Sequence, residues 1–407
     1  MTCISSRFSQ RCAVVLASLA GGDAFAQPSF QGIGSLGAPV SGSLGSFANK
    51  VSADGRVVVG FATSPVGRQS FRWTQTTGMI GLGRLPGGAY GGQAWSCSAD
   101  GSVIVGDAPV GETSHAFRWT ASLGMVNLGD LPGAVDQSIA WDCNADGSVI
   151  VGIADYKDSN IQEGKAFKWT QGTGMVDIGG LPISPLRTDA TVVSANGSVI
   201  AGCSGTQLVS YESCLWVGNT PAVGMGIPYL ANAYTCSFCM TPDGSVIAGV
   251  AAVGDDAYEV FRWTQATGMV TLGDLPGGAY YGAAFGISAD GTVIVGCGNF
   301  YNYSATGNII GDAIIWDSVH GLRKLQDVLV QQYHLDLRGW TLTSANSISA
   351  DGLTIVGSGL NPFGEDEAWI VRLDCTSTPT CPSDFNRDGF VNGDDFDAFA
   401  EAFEAGC

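Results

Sequence analysis

Charge is scarce in this 407-residue chain: Asp, Glu, Lys and Arg make up 14% of it, against roughly 25% in ordinary soluble domains. Cations are scarcer still, 18 Lys plus Arg against 37 Asp plus Glu, for a net charge of −19. Nucleic acids and anionic membrane surfaces are bound through clustered Lys and Arg, so neither is an expected partner. The cations are scattered along the sequence, and no arginine cluster of the kind a sialidase-like propeller would need for a carboxylate substrate is apparent. The three histidines, His115, His320 and His334, stand in unrelated settings. Long apolar runs are also missing: no segment approaches 18 uninterrupted apolar residues, so no membrane span is expected. The short run Cys12–Ala20 follows Arg7 and Arg11 and precedes Ala24-Phe25-Ala26, a small-x-small cleavage site. That layout predicts a secretory signal peptide over residues 1–26 and a mature chain beginning near Gln27.

What is abundant is glycine, 59 residues, about twice the usual ~7%. With 45% hydrophobic residues and a mean hydropathy of +0.20, the composition indicates turn-rich β structure with enough apolar surface to fold. The glycines are ordered. A turn dipeptide recurs seven times, at Asp54-Gly55, Asp100-Gly101, Asp146-Gly147, Asn196-Gly197, Asp243-Gly244, Asp290-Gly291 and Asp351-Gly352, at intervals of 46, 46, 50, 47, 47 and 61 residues. Six positions after each Asp or Asn stands another glycine, from Gly60 to Gly357. A tryptophan follows: Trp73, Trp119, Trp169, Trp216, Trp263, Trp316 or Trp369.

Each unit reads as four short strands. In the second they are Gln93–Ser98, Ser102–Gly106 after the Asp-Gly hairpin, His115–Thr120, and Met125–Gly129 after a Gly-Met turn. Four strands per ~40–50 residues is the signature of a propeller blade. The seventh unit ends at Leu373 without a fourth strand, while residues 32–37 precede the first unit as a surplus one. The predicted fold is therefore all-β, a seven-bladed β-propeller over residues 27–373 whose N-terminal strand closes the last blade and removes its exposed edge.

Cleavage of the signal peptide leaves ten cysteines, an even number suited to disulfides in an exported protein. Cys97 and Cys143 occupy a slot held elsewhere by Val51, Val193, Met240, Ile287 and Ile348. They are expected as buried thiols or as a bridge between adjacent blades. Cys203 and Cys214 flank a short loop and suggest a hairpin disulfide. Cys236-Ser237-Phe238-Cys239 has redox-motif spacing but lies in a strand, with no helix start to acidify a thiol.

The Asp-Gly and Gly-Met turns are nearly constant, whereas the other two connections of each unit vary and share one face of the disc. Function usually sits on variable loops over a rigid scaffold. Candidates there are Tyr90, Tyr156, Tyr280, Tyr281, Tyr301 and Tyr303 with Asp155, Asp158, Asp255, Asp256, Glu365 and Asp366, a mixture suited to a glycan or a cation. No catalytic constellation is visible, and the chain is expected not to be an enzyme. A carbohydrate-active enzyme using paired loop acids is the alternative.

After a linker at 374–380, residues 381–407 contain Asp384, Asn386, Asp388, Phe390, Asn392 and Asp395, with Gly389 at the sharp turn. Oxygen ligands at loop positions 1, 3, 5, 9 and 12 with glycine at 6 predict an EF-hand-like calcium loop, Phe390 contributing its carbonyl. Phe396, Phe399, Ala400 and Phe403 give the following short helix one apolar face, and Cys381 and Cys407 bracket the unit.

Over roughly residues 45–373 the units resemble the HAF-repeat extracellular proteins of bacteria. His115-Ala116-Phe117 carries the eponymous triplet, and the units at Phe71 and Phe261 keep its Phe-Arg-Trp-Thr part. The resemblance implies export and a propeller-like repeat. The tail resembles a type I dockerin, and its ending Ala405-Gly406-Cys407 is similar to the single-loop kind on bacterial surface proteins. Together they imply a secreted or surface-associated binding or scaffold protein, attached through a calcium-dependent tail to an unknown protein or cell-surface receptor.

Overall fold

Every Asp-Gly or Asn-Gly pair forms a tight turn whose glycine has positive φ, between 66° at Gly101 and 77° at Gly352, a conformation that costs other residues dearly. A short network fixes each turn. In the second unit Ser98 Oγ donates to Asp100 Oδ1 at 2.7 Å and accepts from Val103 N at 2.9 Å, while Ser102 N donates to the same carboxylate at 2.9 Å. The hydroxyl of Ser98 and the amide of Ser102 hold the Asp100 carboxyl below its ordinary range, and Thr241 and Ser288 do the same for Asp243 and Asp290.

These hairpins build seven antiparallel four-stranded sheets. The computed structural model describes residues 28–373 except 38–44, 134–136, 156–163, 183–186, 208–209, 228–233, 255–256, 276–280 and 304–308. From the axis outward, the strands of blade two are Gln93–Cys97, Val103–Val110, Thr113–Thr120 and Gly124–Asn127. Val103, Ile104 and Val105 are buried in succession because a neighbouring sheet covers each face. Ile104 packs with Val57 and Val59 of blade one, and Val103 and Val105 pack with Ile150 and Phe167 of blade three. The same inter-blade layer takes the slot cysteines: Cys97 and Cys143 are buried free thiols. Trp73 packs against Val356 and Ile370 of the seventh blade.

The blades are also joined edge to edge by the residue before each turn. Ala53 N donates to Ala99 O, Ala99 N to Ala145 O, Ala145 N to Ala195 O, Ala195 N to Pro242 O, Ala289 N to Ala350 O and Ala350 N to Ala53 O, at 2.8–3.1 Å. Only the step from position 242 to 289 is missing, because Pro242 has no N–H.

Closure of the ring is seen, with a shift in register. The closing strand is Ser29–Gly32, antiparallel to Asp366–Arg372, pairing Ser29 with Arg372 and Gly32 with Trp369. The stretch 32–37 predicted for this role is mostly the connection that follows. Ile33 N donates to Ala368 O, as Leu82 N does to Ser70 O and Leu128 N to Ala116 O. The Ile-Gly pair resembled the Leu-Gly that ends the other units, and that pair lies just past the fourth strand.

Two further expectations change. The 61-residue interval contains a seven-residue helix, Leu325–Gln331, whose Leu325, Val328 and Leu329 pack on Leu337, Trp340 and Leu342. The predicted Cys203–Cys214 hairpin bridge does not form. Cys203 bonds to Cys236 on the inner strand of the next blade, 33 residues away, and Cys214 is a buried free thiol. Cys236 is therefore not half of a redox pair, and burial pushes the Cys239 thiol up to about 12. No described helix is long and apolar enough to cross a membrane.

Candidate functional site

The glycine six residues beyond each turn Asp governs the centre of the disc. A Cβ at Gly106 would sit 2.0 Å from Gln93 O on the paired inner strand, and at Gly152, Gly202 and Gly296 the corresponding distance is 1.9 Å. Because the second strand lies this close, the inner strand carries a β-bulge opposite the glycine in all seven blades. A bulge leaves one residue unpaired and re-aims its side chain. The seven unpaired residues are Asn49, Trp95, Trp141, Thr191, Phe238, Phe285 and Asn346. All seven line one cavity of about 740 Å³ around the axis.

The ring is asymmetric. Trp95 and Trp141 lie edge to face at 5.1 Å, and Phe238 and Phe285 form a second pair at 6.0 Å. Between the pairs stand Thr191 on one side and Asn346 with Asn49 on the other. The three polar members tie neighbouring blades together: Asn49 Nδ2 donates to Ala94 O at 2.8 Å, Asn346 Nδ2 to Ala48 O at 2.7 Å, and Thr191 Oγ1 to Ser237 O. Trp95 Nε1 donates to Asp107 Oδ1 at 2.7 Å, whereas Trp141 Nε1 is buried without a partner among the described residues. Burial raises the Asp107 carboxyl against the opposing hydrogen bonds from Ser114 and Trp95.

The cavity opens on the face of the variable loops. Its upper wall is formed by Arg68 and Tyr211 at the starts of third strands and by Arg187 and Tyr234 just before inner ones. From there a tyrosine ladder runs along the rim: Tyr211 to Tyr234 at 5.7 Å, Tyr234 to Tyr258 at 5.9 Å and Tyr258 to Tyr281 at 5.0 Å. Burial pushes the Tyr234 hydroxyl up to about 12, so it stays protonated. The Cys203–Cys236 bridge lies in the same wall.

Cations scattered in the sequence are gathered here. Arg187 makes a two-pronged ion pair with Asp189, with Nε–Oδ2 at 2.7 Å and Nη2–Oδ1 at 3.2 Å. Arg68 lies 5.4 Å over the Phe61 ring and donates Nε to Gly91 O. Lys50 is deeper, in the wall with Ser96 and Asp142. The Asp142 carboxylate accepts from Ser96 Oγ at 2.6 Å and from Val193 N at 3.0 Å. Among the described residues, no three His, Cys, Asp or Glu side chains converge to hold a metal ion.

Of the loop residues proposed from sequence, Tyr281 belongs to the ladder. Tyr90 packs against Arg84, Asp155 pairs with Lys165 at 2.6 Å, and Glu365 accepts from Asn361; with Asp366, these stand outside the cavity wall. Tyr301 and Tyr303 lie on the strand Val293–Tyr303. Tyr156, Asp158, Asp255, Asp256 and Tyr280 fall outside the described residues, as do the predicted calcium ligands Asp384, Asn386, Asp388, Phe390, Asn392 and Asp395. The seven unpaired residues that line the cavity were not among those expected from sequence. The signal was present: each stands five residues before its turn Asp or Asn, where four of the seven are Trp or Phe.

No protein-family model matches the chain, and no curated protein matches it in sequence. Solved structures do. Oligogalacturonate lyase from Vibrio parahaemolyticus superposes with a TM-score of 0.52 at 13% identity, over 85% of this chain and 97% of that one. An oligogalacturonate lyase in complex with manganese gives 0.53 at 14%, over 86% and 97%. TolB from Acinetobacter baumannii gives 0.39 at 12% identity, over 54% of this chain and about half, 51%, of its own. At such identities the likeness shows the fold alone, a seven-bladed propeller. The expectation that the chain is not an enzyme does not stand, since two solved propellers of this fold that match most of its length are named oligogalacturonate lyases.

Proposed function

We propose that this chain is an exported, saccharide-binding propeller of a bacterial surface, whose ligand enters the axial funnel from the variable-loop face. The observation that carries the reading is the bulge ring, which turns two aromatic pairs and three polar side chains into a single cavity. Sugar rings have apolar faces that pack on aromatic side chains and hydroxyl edges that need amide and carboxylate partners, and the wall supplies both. The tyrosine ladder extends the aromatic surface onto the rim, giving a chain of sugars a track to follow. Two of the propellers with the same fold are named for an oligosaccharide, oligogalacturonate. In this reading residues 1–26 direct export. Residues 381–407 form a dockerin-like unit in which Asp384, Asn386, Asp388, the Phe390 carbonyl, Asn392 and Asp395 hold calcium and attach the propeller to a protein or surface receptor.

The test is an array of neutral and acidic glycans probed with the mature chain, with and without calcium, with each bound glycan then incubated for turnover. Binding to at least one glycan class is expected. Trp141→Ala should weaken it by about 2 kcal/mol, roughly thirtyfold. Chelating calcium should release the chain from its surface partner and leave the funnel's affinity unchanged. A folded protein that binds nothing on the array removes the reading.

A further inference from the structure

Lys50 is the one cation lining the funnel whose side chain makes no direct hydrogen bond or ion pair among the described residues. Arg187 is saturated by Asp189, and Arg68 is held by the Gly91 carbonyl and the Phe61 face. Lys50 has no hydrogen bond and no ion pair among the described residues, although it lines the cavity. Asp142 supplies a counter-charge without a direct contact: its oxygens accept from Ser96 Oγ and Val193 N, and no ion pair to Lys50 forms among the described residues. The thiols around the lysine give it no counter-charge at neutral pH, since burial pushes Cys97 and Cys239 up to about 12. Burial also works against the charge of Lys50 itself, but Asp142 outweighs it and the ammonium is retained.

In the other blades the position of Lys50, four residues before the turn Asp or Asn, is held by Ser96, Asp142, Val192, Cys239, Gly286 and Ser347. The flanking blades thus contribute short serines to either side of it. Packing in this slot does not call for a long cationic chain, and the Lys50 ammonium carries three donors, none of them bonded among the described residues. General basicity does not account for it either, in a chain of net charge −19. Unbonded ammonium donors lining a cavity are suited to an anion delivered from outside.

We infer that Lys50 is the carboxylate-recognising residue of the funnel and that the saccharide bound there contains a uronic acid, its ring stacked on the aromatic pairs and its carboxylate directed at the Lys50 ammonium. The inference rests on the saccharide reading above and adds the sign of the ligand's charge. Lys50 binds and orients; no bond-making step is assigned to it.

The probes are a uronate oligosaccharide and the same oligosaccharide with its carboxyls methyl-esterified, titrated against the mature chain. The acid is expected to bind at least tenfold more tightly than the ester, with the difference shrinking as salt is raised. Lys50→Met should remove that preference while leaving ester affinity within about twofold, and Lys50→Arg should keep most of it. Circular dichroism checks that the variants fold, and the acid–ester comparison on the unaltered chain needs no variant. Equal binding of acid and ester overturns the role of Lys50 and leaves the saccharide reading standing, as does binding of neutral glycans alone. Failure of every glycan overturns both.

Discussion

Trp95 and Trp141 hold the same register position in adjacent blades, 5.1 Å apart, yet their indole N–H groups are treated differently. That of Trp95 is anchored on Asp107 at 2.7 Å, and that of Trp141 is buried without a partner among the described residues. A buried donor that loses or lacks its acceptor is costly, whereas deleting the donor relieves the cost. Trp95→Phe is therefore expected to destabilise the protein by about 1–2 kcal/mol, because it also strips a hydrogen bond from the buried Asp107. Trp141→Phe should be neutral or slightly stabilising. Thermal melts of the two variants side by side check this, and a larger loss for Trp141→Phe would contradict the assignment. The contrast bears on function as well. Trp95 is a fixed wall, while Trp141 keeps an unused donor available for a ligand oxygen if its ring turns.

At the scale of the blade, one glycine decides where the inner strand points. A valine at position 152 would bring its Cβ to 1.9 Å from Ile139 O and 2.7 Å from the Phe167 ring. The strands would have to part, and the bulge that aims Trp141 inward would be the first feature lost. Gly152→Val is expected to cost about 1–3 kcal/mol and to abolish funnel binding in whatever fraction still folds. Gly172→Ala is the control, since a Cβ there meets nothing within 4 Å and no positive φ is required. Urea unfolding midpoints separate the two. This blade logic also explains what was legible in the sequence. The Asp-Gly turns, the glycine six positions on and the recurrent tryptophan gave the number of blades and their four strands. Trp95 and Trp141 escaped notice because strand reading counts by twos, and an inserted residue reverses the count without changing the local composition. The helix Leu325–Gln331 is two turns long, too short for a periodic signal. Cys203 and Cys236 lie on strands of different blades, so their pairing depended on the finished ring.

The propeller formed by residues 29–373 is a closed ring with two irregular places among the described residues, and they differ in kind. At Pro242 one amide is absent, yet the chain runs straight through and the hydrophobic layer between blades five and six is intact, with Ala248 and Val246 packed on Ala284 and Ile294. Inside blade seven the covalent link between the third strand and the borrowed fourth is missing. Continuity there depends on Ser29–Gly32 pairing with Asp366–Arg372 and on Phe30 packed at 5.4 Å from Trp340, while blade seven meets blade one through Ala350 N to Ala53 O, Asn346 Nδ2 to Ala48 O and Trp73 on Val356 and Ile370. The ring can part at blade seven without stretching a covalent connection, so it should open there and not at Pro242. Native-state hydrogen exchange reads this directly through the six turn amides, of Ala53, Ala99, Ala145, Ala195, Ala289 and Ala350. A chain beginning after Gly32 is expected to lose protection first at Ala350, with Ala99 and Ala145 least affected because the blades on both sides of them remain covalently joined. In the full chain all six should exchange slowly, Ala350 the fastest among them. Equal acceleration at Ala145 and Ala350 on truncation would mean that the disc opens as one unit, and that the borrowed strand stabilises all seven blades alike instead of latching two.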